Sequence, residues 1–240
     1  IPLGVLTCNE NTVSISGNGS SAGISFIYQW STINGNIISG ATTNSPVVDQ
    51  IGEYTLLVTN IDNGCSNETT ITVGEDISPP VVTIDQAGNT SLDCDVSSIT
   101  LDGSGSQPIG NVSYQWTTVV GNILSGVNTA NPEVDDEGEY TLTVTNLTNG
   151  CTEAQSIFIS QELSVPQVNI APPFILTCDL TEITLDAGSS SQGNYSYQWI
   201  TTNGSIVSGA NTLTPLINQI GTYQLIVTDL GSNCTNESSM

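Results

Sequence analysis

The chain contains 240 residues, of which 23 are Asp or Glu and none is Lys, Arg or His, so its formal net charge is −23. This composition excludes ion pairs between its side chains, a Lys-derived Schiff base or isopeptide bond, and catalysis by a histidine base. The negative charge also disfavours binding to nucleic acid or anionic lipid, and no apolar run is long enough to cross a membrane.

Three copies of one strand motif divide the chain into repeats of roughly 85 residues. The motif reads G-E-Y-T-L-L-V-T-N from Gly52, G-E-Y-T-L-T-V-T-N from Gly138 and G-T-Y-Q-L-I-V-T-D from Gly221. Because Tyr, Leu and Val alternate with mostly polar residues, the apolar set lies on one face of a half-buried β-strand. The motif therefore predicts three small β-domains on one chain.

Each repeat is predicted to form about seven strands in the same order. A short strand follows the first cysteine, and a Gly/Ser-rich turn leads to a Tyr-Gln-Trp strand. A hairpin at Asn-Gly or Gly-Asn, two short strands and a proline-bearing loop come next, before the motif strand and a closing strand. The Trp and the motif Tyr are predicted to anchor each core: Trp30, Tyr54, Trp116, Tyr140, Trp199 and Tyr223. This pattern is typical of a Greek-key β-sandwich, so the predicted fold class is all-β, with three tandem Ig-like domains.

The predicted domains are residues 1–76, 77–162 and 163–240. Repeat 1 is expected to lack the leading strand that repeat 2 has, and repeat 3 is expected to stop within its last strand. The chain is therefore expected to be a window of a longer array. The linkers, residues 74–80 and 161–166, are short and acidic and contain proline, which predicts stiffly joined domains in a rod.

Six cysteines occur as two per repeat, at positions 8 and 65, 94 and 151, and 178 and 234. The separation within each pair is nearly constant, and none of them has the CxxC spacing of a zinc site. This pattern predicts disulfides and hence an oxidising, extracellular compartment, with the protein at the cell surface or secreted. The simplest pairing is within each repeat: Cys8–Cys65, Cys94–Cys151 and Cys178–Cys234. A second possibility joins neighbours through Cys65–Cys94 and Cys151–Cys178, and the spacing does not decide between the two.

Acidic side chains are the remaining candidates for chemistry. Five of them cluster in repeat 2: Glu133, Asp135, Asp136, Glu137 and Glu139. The cluster is not repeated in register, so we interpret it as a solvated acidic loop and predict that the chain is not an enzyme. Asp102 and the linker acids Glu75, Asp76 and Glu162 are candidate calcium ligands, but no EF-hand-type loop accompanies them. We therefore expect no cofactor, apart from weak, non-specific binding of calcium.

The series Y-Q-W, S-G-[AV]-x-T, P-x-V, G-x-Y-x-L-x-V-T and G-C resembles the Ig-like/PKD-like repeats of giant surface proteins that Bacteroidota export by the type IX system. The resemblance covers essentially the whole chain. It implies a structural or adhesive segment of a long extracellular fibre or appendage, which attaches cells to surfaces or to other cells. The expected partners are further repeats of the same chain, identical chains in a homo-oligomer or fibre, and an unidentified cell-surface or glycan ligand. Neither nucleic acid nor membrane insertion is expected.

Two features depart from antibody-type Ig domains. The motif Tyr lies much farther before the second cysteine than in an antibody domain, as Tyr54 and Cys65 show. The Trp lies farther after the first cysteine than a pairing of strands B and C would allow, as Cys8 and Trp30 show. The disulfide is therefore expected to tie one end of the domain rather than to join the sheets at mid-strand.

The Y-x-W-D-F-G-D-G signature of PKD domains is also missing. An alternative function is an array of carbohydrate-binding modules attached to a secreted hydrolase. That function requires exposed aromatic platforms.

Overall fold

The computed structural model describes residues 4–85, 88, 90–173 and 175–240. Within these residues the backbone forms 20 β-strands joined by turns and contains no helix. Accordingly, none of the described segments is a long apolar helix of the kind that crosses a membrane.

The first repeat is a sandwich of a four-stranded and a three-stranded sheet. Its strands are β1 (Val5–Thr7), β2 (Val13–Ser14), β3 (Phe26–Thr32), β4 (Ile37–Ser39), β5 (Val47–Val48), β6 (Gly52–Asn60) and β7 (Ser66–Asp76). The larger sheet has the order β1-β7-β6-β3 and the smaller one the order β2-β5-β4. Strand β6 is antiparallel to both of its neighbours, so that Leu56 lies opposite Trp30 and the alternate side chains enter the core. Residues 1–3 of this repeat lie outside the described residues.

The second repeat has the same two sheets. Its strands are β8 (Ser91–Leu92), β9 (Ile99–Thr100), β10 (Val112–Thr118), β11 (Ile123–Ser125), β12 (Glu133–Val134), β13 (Gly138–Asn146) and β14 (Thr152–Gln161). The sheet orders are β10-β13-β14-β8 and β11-β12-β9. Its leading segment adds two isolated antiparallel bridges, Val81 with Gln107 and Asp85 with Asp102.

The third repeat keeps two three-stranded sheets, β16-β19-β20 and β15-β18-β17. Its strands are β15 (Ile183–Thr184), β16 (Tyr195–Thr201), β17 (Ser205–Ser208), β18 (Leu216–Gln219), β19 (Tyr223–Asp229) and β20 (Thr235–Ser239). Among the described residues of this repeat, no strand corresponds to β1 or β8. Strands β1 and β8 pair with the last residues of the long strands β7 and β14. The equivalent strand β20 is shorter and spans Thr235–Ser239.

Each sandwich encloses its own hydrophobic cluster around the Trp and Tyr of its repeat. None of the six predicted anchors exposes more than 5% of its surface. The Trp30 indole N–H donates to the Thr43 carbonyl at 3.0 Å. The Tyr54 hydroxyl accepts from Asn36 N at 3.0 Å and donates to the Gln50 carbonyl at 2.6 Å. The same bonds recur in the other repeats, so every anchor buries its ring with its polar end satisfied.

The short parallel strands β1 and β8 fix where the cysteines lie. Strand β1 pairs with the far end of β7, with Val5 opposite Gly74 and Thr7 opposite Asp76. Strand β8 pairs in the same way with the end of β14. The first cysteine of each of these two repeats therefore lies beside the linker to the next domain, while the second lies at the opposite end of the sandwich. The predicted all-β fold of Ig-like sandwiches is confirmed, and the domain boundaries and the rod remain predictions.

Candidate functional site: the disulfide-linked domain junctions

Two disulfides join neighbouring domains. Cys8 of the first repeat is bonded to Cys151 of the second, with their Cα atoms 5.0 Å apart. Cys94 of the second repeat is bonded in the same way to Cys234 of the third, with a Cα distance of 4.9 Å. Each bond thus joins the first cysteine of one repeat to the second cysteine of the following repeat. The two remaining cysteines are exposed free thiols: Cys65 and Cys178.

Both pairings considered from the sequence are wrong: Cys8–Cys65 with Cys94–Cys151 and Cys178–Cys234, and Cys65–Cys94 with Cys151–Cys178. The long last strand explains why the two cysteines of one repeat do not bond. Strand β7 has 11 residues, which at about 3.3 Å per residue span roughly 35 Å. Cys65 precedes its first residue, and Cys8 follows Thr7, which pairs with its last residue. The Cα atoms of a disulfide lie within about 7 Å of each other, so these two are too far apart.

The first junction is built on the turn before Cys151. The Asn149 side chain is only 1% exposed. Its amide nitrogen donates to Asp76 Oδ1 and to the Ser78 carbonyl, both at 2.9 Å, and its Oδ1 accepts from Cys151 N at 3.0 Å. The Asn9 backbone N–H adds a longer bond to the Asn149 carbonyl at 3.4 Å. One buried amide thus connects the second domain to the linker that precedes it and to its own disulfide.

The second junction repeats this arrangement with different side chains. Ser232 is fully buried, and its hydroxyl donates to the Ser164 carbonyl of the linker at 3.0 Å. The Cys94 backbone N–H donates to the Ser232 carbonyl at 3.1 Å. The Asn233 amide donates across the junction to Asp93 Oδ2 at 3.2 Å. A serine carbonyl of the linker is therefore bound in both junctions, by an amide in one and by a hydroxyl in the other.

The residue before the second cysteine has a left-handed backbone in all three repeats. It is Gly64, Gly150 or Asn233, with φ of 73°, 73° and 54°. Glycine and asparagine are the residues that adopt this conformation most readily. At Gly150 a side chain would also overlap the Asn9 amide, whereas nothing lies within 4 Å of the equivalent point at Gly64. The close approach at Gly150 is thus a property of the formed junction.

Main-chain donors stabilise two ionised carboxylates at the second junction. Val96 N donates to Asp93 Oδ1 at 2.7 Å, and this bond is the main reason that the pKa of Asp93 lies below its ordinary value of 3.8. Gly231 N donates to Asp229 Oδ1 at 2.8 Å, which chiefly lowers the pKa of Asp229. Because the ionised form accepts these bonds, each carboxylate stabilises the turn that carries a bonded cysteine.

The acidic residues singled out from the sequence, the cluster of repeat 2 and the candidate calcium ligands, lie in different surroundings. Glu133 and Asp135 accept hydrogen bonds from side chains of neighbouring segments at 2.7 and 2.8 Å. Asp102 accepts from Ser104 N at 2.8 Å and from the Asn131 amide at 3.0 Å, and hydrogen bonding to Ser104 lowers its pKa. The candidate calcium ligands Glu75 and Glu162 are exposed, as are three residues of the acidic cluster: Asp136, Glu137 and Glu139. Across the residues that the structure describes, no three His, Cys, Asp or Glu side chains are grouped so that they could hold a metal ion.

An aromatic binding platform would need several exposed rings. Among the aromatic side chains that the structure describes, only Phe158 is well exposed, with 63% of its surface accessible to solvent. It borders a cleft of about 440 Å³ whose lining also includes Val119 and Glu137. One ring beside an acidic side chain does not form a platform, so the surface gives no support to the carbohydrate-binding alternative.

The solved structures to which this chain is similar consist of tandem β-domains. No family model matches the sequence, and no curated protein sequence matches it significantly. The three N-terminal domains of the bacteriophage RB49 Highly Immunogenic Outer Capsid protein are 11% identical, with a TM-score of 0.37, over 98% of this chain and 92% of that one. The N-terminal eight Ig domains of Down Syndrome Cell Adhesion Molecule are 11% identical, with a TM-score of 0.40, over 95% of this chain and 36% of that one. Extracellular cadherin domains 1–4 of Protocadherin Gamma B7 are 10% identical, with a TM-score of 0.31, over 89% of this chain and 65% of that one. These TM-scores are too low for any functional conclusion.

The junction residues Asn149 and Ser232 were not predicted from the sequence. The signal that could have found them is the polar residue two positions before each second cysteine, in N-G-C, N-G-C and S-N-C. From the sequence alone this signal indicates only a turn, because a turn residue and a junction residue look the same without the partner domain.

Proposed function

We propose that this chain is a structural segment of a long extracellular fibre at the cell surface, in which disulfides between neighbouring domains carry tension along the fibre. The fibre would serve attachment to surfaces or to other cells. The observation that supports this function most directly is the pairing of Cys8 with Cys151 and of Cys94 with Cys234.

This pairing creates a short covalent route along the chain. From Cys151 the backbone follows the extended strand β14, the linker and the leading segment of the third repeat to Cys178. An equivalent route runs from Cys65 along β7 and the first linker to Cys94. Fully extended, either segment measures at most about 100 Å, and its strand portion is extended already.

The folded core of the domain lies outside this route. The stretch from Cys94 to Cys151 holds Trp116 and Tyr140 and most of both sheets. Tension that enters at Cys151 and leaves along β14 does not have to pass through this stretch. In an array of such repeats the fibre would therefore resist lengthening even if a sandwich opened. Disulfides that face solvent on one side also require an oxidising exterior, which supports an extracellular location.

Single-molecule stretching between the two chain ends tests the disulfide pairing on which this route depends. Cys178 has no partner within this chain, so with both disulfides intact the shortest covalent path runs through residues 1–8, 94–151 and 234–240, about 70 residues, and full extension, with the second domain opened, should stop near ~250 Å. After reduction it should reach ~860 Å. The matched variants separate the pairings: Cys8→Ser should lengthen the oxidised chain to ~360 Å, whereas Cys65→Ser should leave it unchanged. A longer Cys65→Ser chain would contradict the pairing, because it would show that Cys65 is disulfide-bonded.

Immunogold electron microscopy on intact source cells tests the fibre itself. Antibody against this chain should place gold along filaments that leave the cell. Antigen found only in the medium, together with a hydrolase activity, would contradict the proposal and favour the accessory-module function instead.

A further inference from the structure

Cys65 and Cys178 are free thiols. Each lies in a turn that matches one side of the two disulfide-linked junctions already formed within the chain. We propose that Cys178 of one copy of this chain forms a disulfide with Cys65 of a second copy, so that the copies join head to tail. The bond would reproduce the links between Cys8 and Cys151 and between Cys94 and Cys234. This inference extends the proposed function, but it concerns assembly between chains and is tested by a different measurement.

The half that carries Cys65 already has the conformation of the bonded half. In the turn 60–65, Asn60 N donates to the Cys65 carbonyl and Gly64 N to the Asn60 carbonyl, both at 2.8 Å. Cys65 N donates to Asn63 Oδ1 at 3.0 Å. The bonded turn 146–151 has the same three hydrogen bonds, at 2.9, 2.8 and 3.0 Å. No rearrangement of this turn is needed before it can meet a partner.

The half that carries Cys178 is also preformed. Thr177 N donates to the Leu180 carbonyl at 3.0 Å, and Leu180 N donates to Thr177 Oγ1 at 3.0 Å. Around the bonded Cys8, Thr7 and Glu10 make the same pair of bonds at 2.9 and 3.0 Å. A Thr-Cys turn with reciprocal hydrogen bonds is therefore present both in a formed junction and at the free thiol.

The surface around Cys65 is open where a partner lies in the formed junction. Asn63 is exposed, whereas the equivalent Asn149 is only 1% exposed. Nothing lies within 4 Å of a side-chain position built at Gly64, whereas the Asn9 amide fills that space at Gly150. The difference between the two turns is the presence of the preceding domain. A third domain that presents a Thr-Cys turn has the chemistry to occupy this space.

Head-to-tail joining follows from the asymmetry of the junction. Both existing bonds pair a turn of the Cys8 type with a turn of the Cys151 type, and neither pairs two turns of one type. Cys178 belongs to the first type and Cys65 to the second. The two halves lie on different surfaces of one chain, so the contact is heterologous and continues from copy to copy instead of closing at a dimer.

Bond formation needs an oxidant, for which a small disulfide such as oxidised glutathione is sufficient. The Cys65 thiolate attacks one sulfur of glutathione disulfide, forms a mixed disulfide and releases one glutathione thiolate. The Cys178 thiolate of the second copy then attacks the Cys65 sulfur and releases a second glutathione thiolate. The two protein thiols are oxidised and one glutathione disulfide is reduced, and the two protons lost by the protein thiols are taken up by the released glutathione thiolates.

The test incubates the intact protein with a glutathione redox buffer in about 0.5 M NaCl, which screens the repulsion between chains of charge −23. Non-reducing electrophoresis should show a ladder of multimers that collapses to monomer on reduction. Cys65→Ser alone and Cys178→Ser alone should each stay monomeric, while their mixture should stop at a dimer. A wild-type protein that stays monomeric, or a dimer formed by either variant alone, would overturn the inference. The stretching experiment on single chains is unaffected by either result.

Discussion

The buried amide of Asn149 offers a sharp test of how the domains are joined. Asn149→Ala removes the hydrogen bonds to Asp76, to the Ser78 carbonyl and from Cys151 N. A hydrogen bond contributes about 1 kcal/mol net, and one to a charged group somewhat more. The substitution should therefore lower the free energy of opening of the second domain by about 3 kcal/mol. The matched control, Asn63→Ala, removes only the bond from Cys65 N at an exposed position and should cost less than about 1 kcal/mol.

Native-state hydrogen exchange suits this comparison because it reports the domains separately. The amides of β13 report the second domain, and those of β6 report the first. Asn149→Ala should reduce the protection of β13 far more than Asn63→Ala reduces the protection of β6. Equal losses in the two variants would show that the junction bonds add nothing to the turn itself and would refute the reasoning.

Three further predictions concern the junctions and the charge. Gly150→Ala should weaken the first junction, measured as faster reduction of its disulfide by dithiothreitol, because a Cβ overlaps Asn9. Gly64→Ala places the same strain, at a φ of 73°, in the turn of the free Cys65, so it controls for strain outside the junction and should leave that rate unchanged. The lowered pKa of Asp229 stabilises the fold fully above pH 3.8, and this contribution is lost as the pH falls below that value. The Tm of Asp229→Asn should therefore depend less on pH below 3.8 than that of the wild type, and an identical pH profile would contradict the assignment. Calcium and magnesium should raise Tm equally at equal concentration, as expected for charge screening, whereas a calcium-specific rise would indicate a site.

The sequence was sufficient for the fold because its periodic pattern is strong. Alternating Tyr, Leu and Val in β6, β13 and β19 define one buried face per strand, and the Trp of each Tyr-Gln-Trp strand lies in the core as predicted. The cysteine pairing was not predictable in the same way. It depends on β1 and β8, strands of three and two residues that are too short to show a period. Their parallel pairing with the far end of β7 or β14 sets the two cysteines of a repeat at opposite ends, and spacing along the chain does not carry that information.

The pairing itself is the central claim, and peptide mapping without reduction tests it most directly. The chain has no Lys or Arg for trypsin, but cleavage after Glu places the six cysteines in six different peptides. We predict that peptide 1–10 is linked to 140–153 and peptide 76–133 to 183–237, while 54–68 and 163–182 from the monomer carry free thiols. Peptide 1–10 linked to 54–68 would contradict the account, because it would place the disulfide within one domain.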